Sequence, residues 1–396
     1  MASESLSFLD RAELSSVSPL NRYLLSLISI KRSNLCVSAD VHTTKELLQI
    51  AEEVGDQICV LKTHADIIDD FSERTIRGLQ EVSKRKHFLL FEDRKFGDIG
   101  NTLQSQYTRG PLRIATWAHL TNAHLLPGPS IISALHDAAT ETLIHLNQSV
   151  ATTISAGTPR HSLDSNPDPE ASSQPPQLVQ TSTNPRRTGK KLGASSKTPE
   201  EENIMFEHRR SSADPLSGAF ATTTISQTYE SAAPSPGHPP ALLKSLSDAS
   251  ATDDIADTAS ALQELGPPPH ARGLLLLAQM SSAGNLATKE YTNACVDAAR
   301  ANKEFVVGYI CQENLNTQRD DRGLLNFTPG VGMPKAGGQG GDGKGQIWRT
   351  PDVVVRQQSV DVVIVGRGIL GAEDRGREAE RYRRAAWRAY EERIKE

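Results

Sequence analysis

The sequence lacks the features that mark secreted, membrane-spanning and nucleic-acid-binding proteins. Its N-terminus, MASESLSFLDRAEL, has neither a basic start nor an apolar stretch, which predicts no secretory signal. Its apolar runs, such as residues 274–278, are far too short to span a bilayer. The formal net charge is −5, so no overall positive field attracts nucleic acid or an anionic membrane. We therefore expect a cytoplasmic protein that holds any anionic ligand through local groups.

Cysteine is scarce, and the common motifs of metal and acyl-transfer sites are absent. The four cysteines form no CxxC pair, and three of them lie in apolar strand-like runs, which indicates buried, reduced thiols. The histidines at 42, 64, 119 and 124 show neither HxH nor HExxH spacing, so the sequence predicts no metal site. No GxSxG motif is present.

One long segment is poor in the residues that build a core. Residues 148–270 are rich in Ser, Thr, Pro and charge and hold only three aromatic side chains, Phe206, Phe220 and Tyr229. Such a composition buries too little apolar area to offset the entropy of ordering, so we expect a disordered insert. A strand-like piece at residues 221–229 is the part that could be ordered.

The rest of the chain alternates between strand-like and helix-like stretches. The predicted strands cover residues 35–40, 58–64, 88–95, 114–123, 273–282, 305–312, 325–328 and 361–369. The predicted helices cover residues 19–30, 45–54, 72–86, 102–109, 130–146, 288–301 and 373–395. Eight such repeats in about 270 residues predict an α/β protein with a (β/α)8 TIM-barrel fold, interrupted before its fifth strand. The predicted divisions are an N-terminal lead-in (1–34), two barrel parts (35–147 and 271–396) and the insert (148–270).

Polar side chains gather where the predicted strands end. They include Ser38, Asp40, Lys62, His64, Asn122, His124, Ser281 and Ser282. Each alone could be an exposed strand terminus, but this fold builds its active site from these ends. The agreement across strands therefore predicts an active site there.

The stretch Phe88–Thr102, FLLFEDRKFGDIGNT, carries the densest charge pattern. An apolar run leads into Asp93, Lys95 and Asp98, and strand alternation would point residues 93 and 95 to the same side. With Lys62 these groups would form an alternating network in which opposite neighbours keep each group ionised. Such a network suits a reaction that stabilises or protonates a carbanion, with a lysine as the acid. A charged turn leaving the sheet is the alternative.

Two glycine-containing segments follow in the second half. The Gly366-Arg367-Gly368 step follows the last predicted strand, and glycine amides beside a guanidinium make a phosphate site. Residues 330–345 contain a literal GxGxxG, but no helix follows as a dinucleotide site requires. A flexible lid over the barrel mouth, or simply a flexible loop, is the better interpretation.

These motifs together resemble the orotidine 5′-phosphate decarboxylases, in the form found in filamentous fungi. FEDRKFGDIGNT looks like the family signature with its D-x-K-x-x-D core, and LCVSAD, VLKTH, LAQMSS, TPGVG and VIVGRG also match. The resemblance spans nearly all of residues 20–147 and 271–390. It implies a homodimeric decarboxylase that makes UMP from orotidine 5′-phosphate without cofactor or metal.

The resemblance also implies roles for individual residues. Lys95 would protonate C6, Asp93 would lie against the departing carboxylate, and Lys62 and Asp98 would complete the network. Asp98 and Thr102 would reach into the partner subunit's site. The implied substrate contacts are Asp40, Lys62 and His64 at the ribose, Ser281 and Pro329 at the base, Gln346 between base and phosphate, and Gly366 and Arg367 at the phosphate.

One position departs from the family pattern. The family usually has Gln-Gln-Tyr-Arg after the lid, and this chain has Gln346-Ile347-Trp348-Arg349. An indole N–H would replace the tyrosine hydroxyl near the phosphate, keeping one donor on a bulkier group.

Two other functions remain open at this point. The first is a metal-dependent phosphosugar lyase or decarboxylase on the same barrel, which would need a carboxylate-lined Mg²⁺ site at the strand ends. The second is a non-catalytic interaction protein that recruits partners through the insert.

Overall fold

The computed structural model describes residues 6–147, 149–157, 222–230, 255–282, 284–333 and 349–395. The chain divides into two units. The first comprises residues 1–149 and 230–396, and the second comprises residues 150–229. Strands β5 (Ser149–Gly157) and β6 (Thr222–Glu230) form a separate two-stranded sheet.

Within the described part of the first unit, eight parallel strands close into a barrel in the order β1-β10-β9-β8-β7-β4-β3-β2. They are β1 (Leu35–Ser38), β2 (Val60–Thr63), β3 (Leu89–Phe96), β4 (Leu120–Ala123), β7 (Gly273–Leu277), β8 (Val306–Ile310), β9 (Leu325–Thr328) and β10 (Val362–Val365). Most of these strands are short apolar runs buried on both faces, as parallel barrel strands must be. The predicted TIM barrel is confirmed.

Ten α-helices are described along the chain. They are α1 (Phe8–Ala12), α2 (Pro19–Lys31), α3 (Thr44–Val54), α4 (Glu73–Lys86), α5 (Gly100–Thr108), α6 (Ser130–Asn147), α7 (Ile255–Leu265), α8 (Lys289–Ala301), α9 (Arg367–Leu370) and α10 (Arg375–Arg393). Thr43 caps α3 and Thr288 caps α8 through their side-chain oxygens, which fixes where these helices begin. None of the helices in the described ranges is long and apolar enough to cross a membrane.

The predicted lead-in is a structural part of the barrel. The Arg11 guanidinium lies 2.5 Å from the Asp361 carboxylate, and both side chains are almost fully buried. Arg11 also donates to the carbonyl oxygens of Arg322 and Leu324, so it ties α1 to the segments before β9 and β10. Removing either partner of such a buried pair would leave the other charge buried without a counter-ion, which is strongly destabilising.

The fourth predicted strand is wrong in its first half. Residues 114–116 form a 3₁₀ turn, and only Leu120–Ala123 pairs in the sheet. Ile114, Ala115 and Trp117 are buried, and the Trp117 indole donates to the Leu112 carbonyl. An apolar run indicates that a segment is buried, but a buried segment need not pair as a strand.

The predicted insert also needs correction at its C-terminal end. Residues 255–265, assigned to the disordered segment, form α7 and pack on α2. Ala261 and Leu265 are buried there, and the Tyr23 hydroxyl donates to the Gly266 carbonyl. The strand-like piece at 221–229 corresponds to β6, whereas β5 was not predicted. The remainder of 148–254 lies outside the described residues.

Candidate active site

The predicted site residues converge on a cavity of about 260 Å³ at the carboxyl ends of the barrel strands. Its walls include ten of the residues singled out from the sequence: Ser38, Asp40, Lys62, Asp93, Lys95, Ser281, Pro329, Gly366, Arg367 and Gly368. The barrel topology brings these positions together from segments more than 300 residues apart in the chain.

Asp93 lies at the centre of an ion-pair network in this cavity. Its Oδ2 accepts from Lys62 Nζ at 2.7 Å, and its Oδ1 accepts from Lys95 Nζ at 2.6 Å. The side chains of Asp93 and Lys62 are nearly buried, whereas that of Lys95 is 38% exposed toward the opening. One carboxylate therefore holds two ammonium groups, and the more accessible of the two is Lys95.

His64 extends the network to Asp40. Its Nδ1 lies 2.7 Å from Asp40 Oδ1, and its Nε2 lies 3.1 Å from Asp93 Oδ2. Lys62 Nζ is 3.7 Å from Asp40 Oδ1, and Ser38 donates its hydroxyl to the same carboxylate. With both ring nitrogens facing carboxylates, the charged imidazolium fits this position best.

The pKa values of these groups follow from that arrangement. Burial raises the pKa of the Asp93 carboxyl, but Lys62, the His64 hydrogen bond and Lys95 outweigh burial and hold it well below its usual range. Asp40 behaves in the same way, with the His64 hydrogen bond and Lys62 lowering its pKa against burial. Burial lowers the pKa of His64, yet hydrogen bonds to Asp40 and Asp93 raise it to about 9. Both carboxylates and the imidazolium are therefore charged at neutral pH.

Strand β3 reaches this geometry through a bulge rather than through regular alternation. Glu92 pairs with Thr121 and Phe96 with Ala123, so the register shifts between residues 92 and 96. Lys95 has a φ of 52°, which is rare for a residue with a side chain. The prediction that residues 93 and 95 lie on one side is correct in outcome, but its premise of a regular strand is wrong.

Sequence reasoning did not assign roles to two buried polar residues beside this network. Asn122 donates from Nδ2 to Asp93 Oδ1 at 2.7 Å, and its Oδ1 accepts from the Lys95 backbone N–H at 2.7 Å. Glu92 accepts from the Thr63 hydroxyl at 2.6 Å and from the Ala65 N–H at 2.9 Å. Burial raises the pKa of Glu92 to about 7. Glu92 lies within the signature stretch, but nothing in the spacing distinguishes it from a solvent-facing charge.

The loop after β10 supplies the wall where phosphate binding was predicted. Gly366 directly follows β10, and Arg367 begins α9. A Cβ at Gly368 would lie 2.5 Å from the Tyr382 hydroxyl, which in turn accepts from the Met333 N–H. Glycine at 368 therefore allows the close packing that anchors residue 333 at the rim.

Not every predicted site residue joins the network. Asp98 accepts from Gln106 Nε2 at 2.9 Å and from the Ile99 N–H, so within one chain it is not the fourth member of the predicted alternating set. Thr102 is exposed on α5. Gln346, Trp348 and residues 334–345 of the predicted lid lie outside the described residues. Among the residues that are described, no three His, Cys, Asp or Glu side chains are grouped to hold a metal ion.

Fold and site together define a class of protein. A parallel barrel whose mouth holds a carboxylate between two ammonium groups is an enzyme site suited to forming and protonating a carbanion.

Comparisons with known proteins identify the family within that class. The model of the Orotidine 5'-phosphate decarboxylase / HUMPS family matches residues 33–182 and 239–382. An orotidine 5'-phosphate decarboxylase of Aureobasidium pullulans is 38% identical over 385 residues, covering 97% of this chain and 93% of that protein. One from Hypocrea atroviridis is 41% identical over 388 residues, covering 95% and 94%. The chain belongs to this family.

Proposed function

We propose that the chain catalyses decarboxylation of orotidine 5′-phosphate to UMP. The observation that carries this proposal is the Lys62–Asp93–Lys95 arrangement at the mouth of the barrel in a member of this family. The groups at the mouth, with His64 protonated, hold one more positive than negative charge before Arg367 is counted. That excess suits a substrate with both a carboxylate and a phosphate.

The chemical step follows from the positions of Asp93 and Lys95. The C6–carboxylate bond breaks, carbon dioxide leaves, and its bonding electron pair stays on C6. The Lys95 ammonium stabilises this charge and transfers a proton from Nζ to C6, after which the lysine takes up a proton from solvent. Asp93 keeps Lys95 in place and lies against the departing carboxylate. No cofactor takes part in this scheme.

The remaining predicted residues bind the parts of the substrate that do not react. Asp40 and Lys62 hold the ribose with His64 beside them, Ser281 contacts the pyrimidine edge and Pro329 lines the base pocket. Gly366 and Arg367 bind the phosphate, with Gln346 between phosphate and base. Phosphate binding far from C6 contributes binding energy that orients the reacting end.

We further propose a cytoplasmic homodimer with shared sites, in which Asp98 and Thr102 serve the neighbouring subunit. The support is that Asp98 binds Gln106 rather than the ion-pair network of its own chain, and that Thr102 is exposed on α5. In this proposal the chain binds neither nucleic acid nor a membrane, and residues 150–229 form a separate unit that catalysis does not need.

The test is to mix the purified protein with orotidine 5′-phosphate and follow the loss of its ultraviolet absorbance, with and without EDTA. We expect turnover at the same rate in both. Absence of turnover would refute the proposal, and turnover that EDTA abolishes would refute the cofactor-free scheme by showing that the reaction needs a metal ion.

A further inference from the structure

Asn122 is tied to both halves of the catalytic pair by short hydrogen bonds. Its amide nitrogen donates to Asp93 Oδ1 and its amide oxygen accepts from the Lys95 backbone N–H, both at 2.7 Å. The residue is 1% exposed on β4. A single planar amide thus fixes the side chain of one catalytic residue and the main chain of the other.

The register of the sheet explains why such a tie is needed. Glu92 pairs with Thr121 and Phe96 with Ala123, so Asp93, Arg94 and Lys95 all stand opposite Asn122 alone. A bulge of this kind leaves backbone groups without their ladder partners. The Asn122 side chain supplies the acceptor that the Lys95 N–H would otherwise lack.

The backbone at Lys95 also stores strain that something must hold. A φ of 52° places Lys95 in the left-handed region, which is unfavourable for a non-glycine residue and persists only when its surroundings enforce it. The bulge turns the Lys95 side chain back toward Asp93, where Nζ reaches Oδ1 at 2.6 Å. Releasing the Lys95 N–H would let the strand relax and move Nζ.

From these contacts we infer that Asn122 is a positioning residue for the reaction, which sets the Lys95 ammonium against the substrate by holding the strained bulge of β3. This inference rests on the proposed function. Asn122 does not touch the reacting atoms, and its effect passes through Lys95 and Asp93. Because a misplacement of about 1 Å can cost roughly 10²-fold in rate, its loss falls on kcat rather than on substrate binding.

The variants Asn122→Ala and Asn122→Ser test the inference, with Thr121→Val as a matched control. Thr121 is the preceding residue of the same strand, equally buried, and its hydroxyl donates to the Glu92 carbonyl without touching the catalytic pair. Asn122→Ala should lower kcat at least about tenfold with KM changed less than about threefold. Asn122→Ser keeps one small polar group and should fall between Asn122→Ala and the wild type, whereas Thr121→Val should keep kcat.

Hydrogen exchange at the Lys95 amide gives a readout independent of activity. We expect it to speed up in Asn122→Ala relative to both the wild type and Thr121→Val. If kcat of Asn122→Ala equals that of Thr121→Val, or if Lys95 exchange is unchanged, the inference is wrong. If the wild type itself fails to turn over orotidine 5′-phosphate, the proposed function is refuted, and the exchange data alone still decide whether Asn122 holds the bulge. Should Asn122→Ala not fold, Asn122→Ser carries the same comparison.

Discussion

Lys95 shows how far a single residue can be understood from its neighbours. The sequence pattern placed it beside Asp93, and the structure puts its Nζ 2.6 Å from that carboxylate. The pattern could not supply its positive φ or its tie to Asn122, because both arise from the register between β3 and β4. His64 is similar, since its position after β2 was predictable but its contacts with two carboxylates depend on how β1 and β3 approach.

The pKa values of the two histidines near the mouth should be shifted in opposite directions. His64 has a pKa raised to about 9 by Asp40 and Asp93, whereas burial and the Lys95 charge lower the pKa of His124 below its ordinary value. NMR titration of the ring protons should show His64 still charged at pH 8 and His124 neutral. If both titrate together near 6.5, the described electrostatics of the mouth are wrong.

The raised pKa of His64 also determines how the stability of the fold changes with pH. Because the folded-state pKa of His64 is raised above its unfolded value, its charged form stabilises the fold fully below about pH 6.5, and this contribution is lost as pH rises toward 9. The difference in unfolding free energy between the wild type and His64→Gln should therefore shrink over that range.

At the scale of elements, hydrophobic periodicity and length were sufficient to predict a helix or strand wherever its own residues decide its structure. The predicted strand at 325–328 and the helix at 130–146 agree with β9 and α6 to within a residue. The error at residues 114–116, which form a 3₁₀ turn, occurred where tertiary packing decided the structure instead. No element was predicted at Asp352–Gln357, which forms a π-helix. Helix α7 was not predicted because its few apolar positions lie within a long segment whose overall composition is polar.

Helix α7 allows a sharper prediction about the insert. Removing residues 150–250 with a short Gly/Ser link should leave both turnover and stability nearly unchanged, because α7 and its contacts with α2 remain. Removing residues 150–268 should leave turnover nearly unchanged but lower the free energy of unfolding by about 2 kcal/mol or more. The deletion takes away α7, including the buried Ala261 and Leu265, and so loses the apolar burial against α2. Denaturant unfolding of the two deletions is the measurement.

Equal stability of the two deletions would show that α7 contributes nothing to the barrel. Loss of turnover in the shorter deletion would show that the insert takes part in catalysis.

At the scale of the whole molecule, the barrel and its active end followed from eight alternating repeats and from polar residues at the strand ends. Subunit contacts could not be derived in this way, because a single sequence does not show which surface meets a second copy. Asp98 is the clearest case, since the D-x-K-x-x-D spacing grouped it with the network but its side chain binds Gln106.

The shared-site proposal predicts complementation between two inactive variants. Lys95→Ala and Asp98→Ala subunits, each inactive alone, should regain about a quarter of wild-type activity when mixed equally, because half of the dimers would contain one intact site. The activity of the mixture after verified subunit exchange is the measurement. A mixture that stays inactive would show that Asp98 does not act in the partner's site.

The most direct test of the whole account compares wild-type protein with Lys95→Ala in the absorbance assay with orotidine 5′-phosphate. Lys95→Ala removes the proposed proton donor, whose side chain is 38% exposed, so circular dichroism and unfolding should show an intact fold. The account predicts rapid loss of substrate absorbance with the wild type and no detectable loss with the variant. Turnover by Lys95→Ala near the wild-type rate would contradict it.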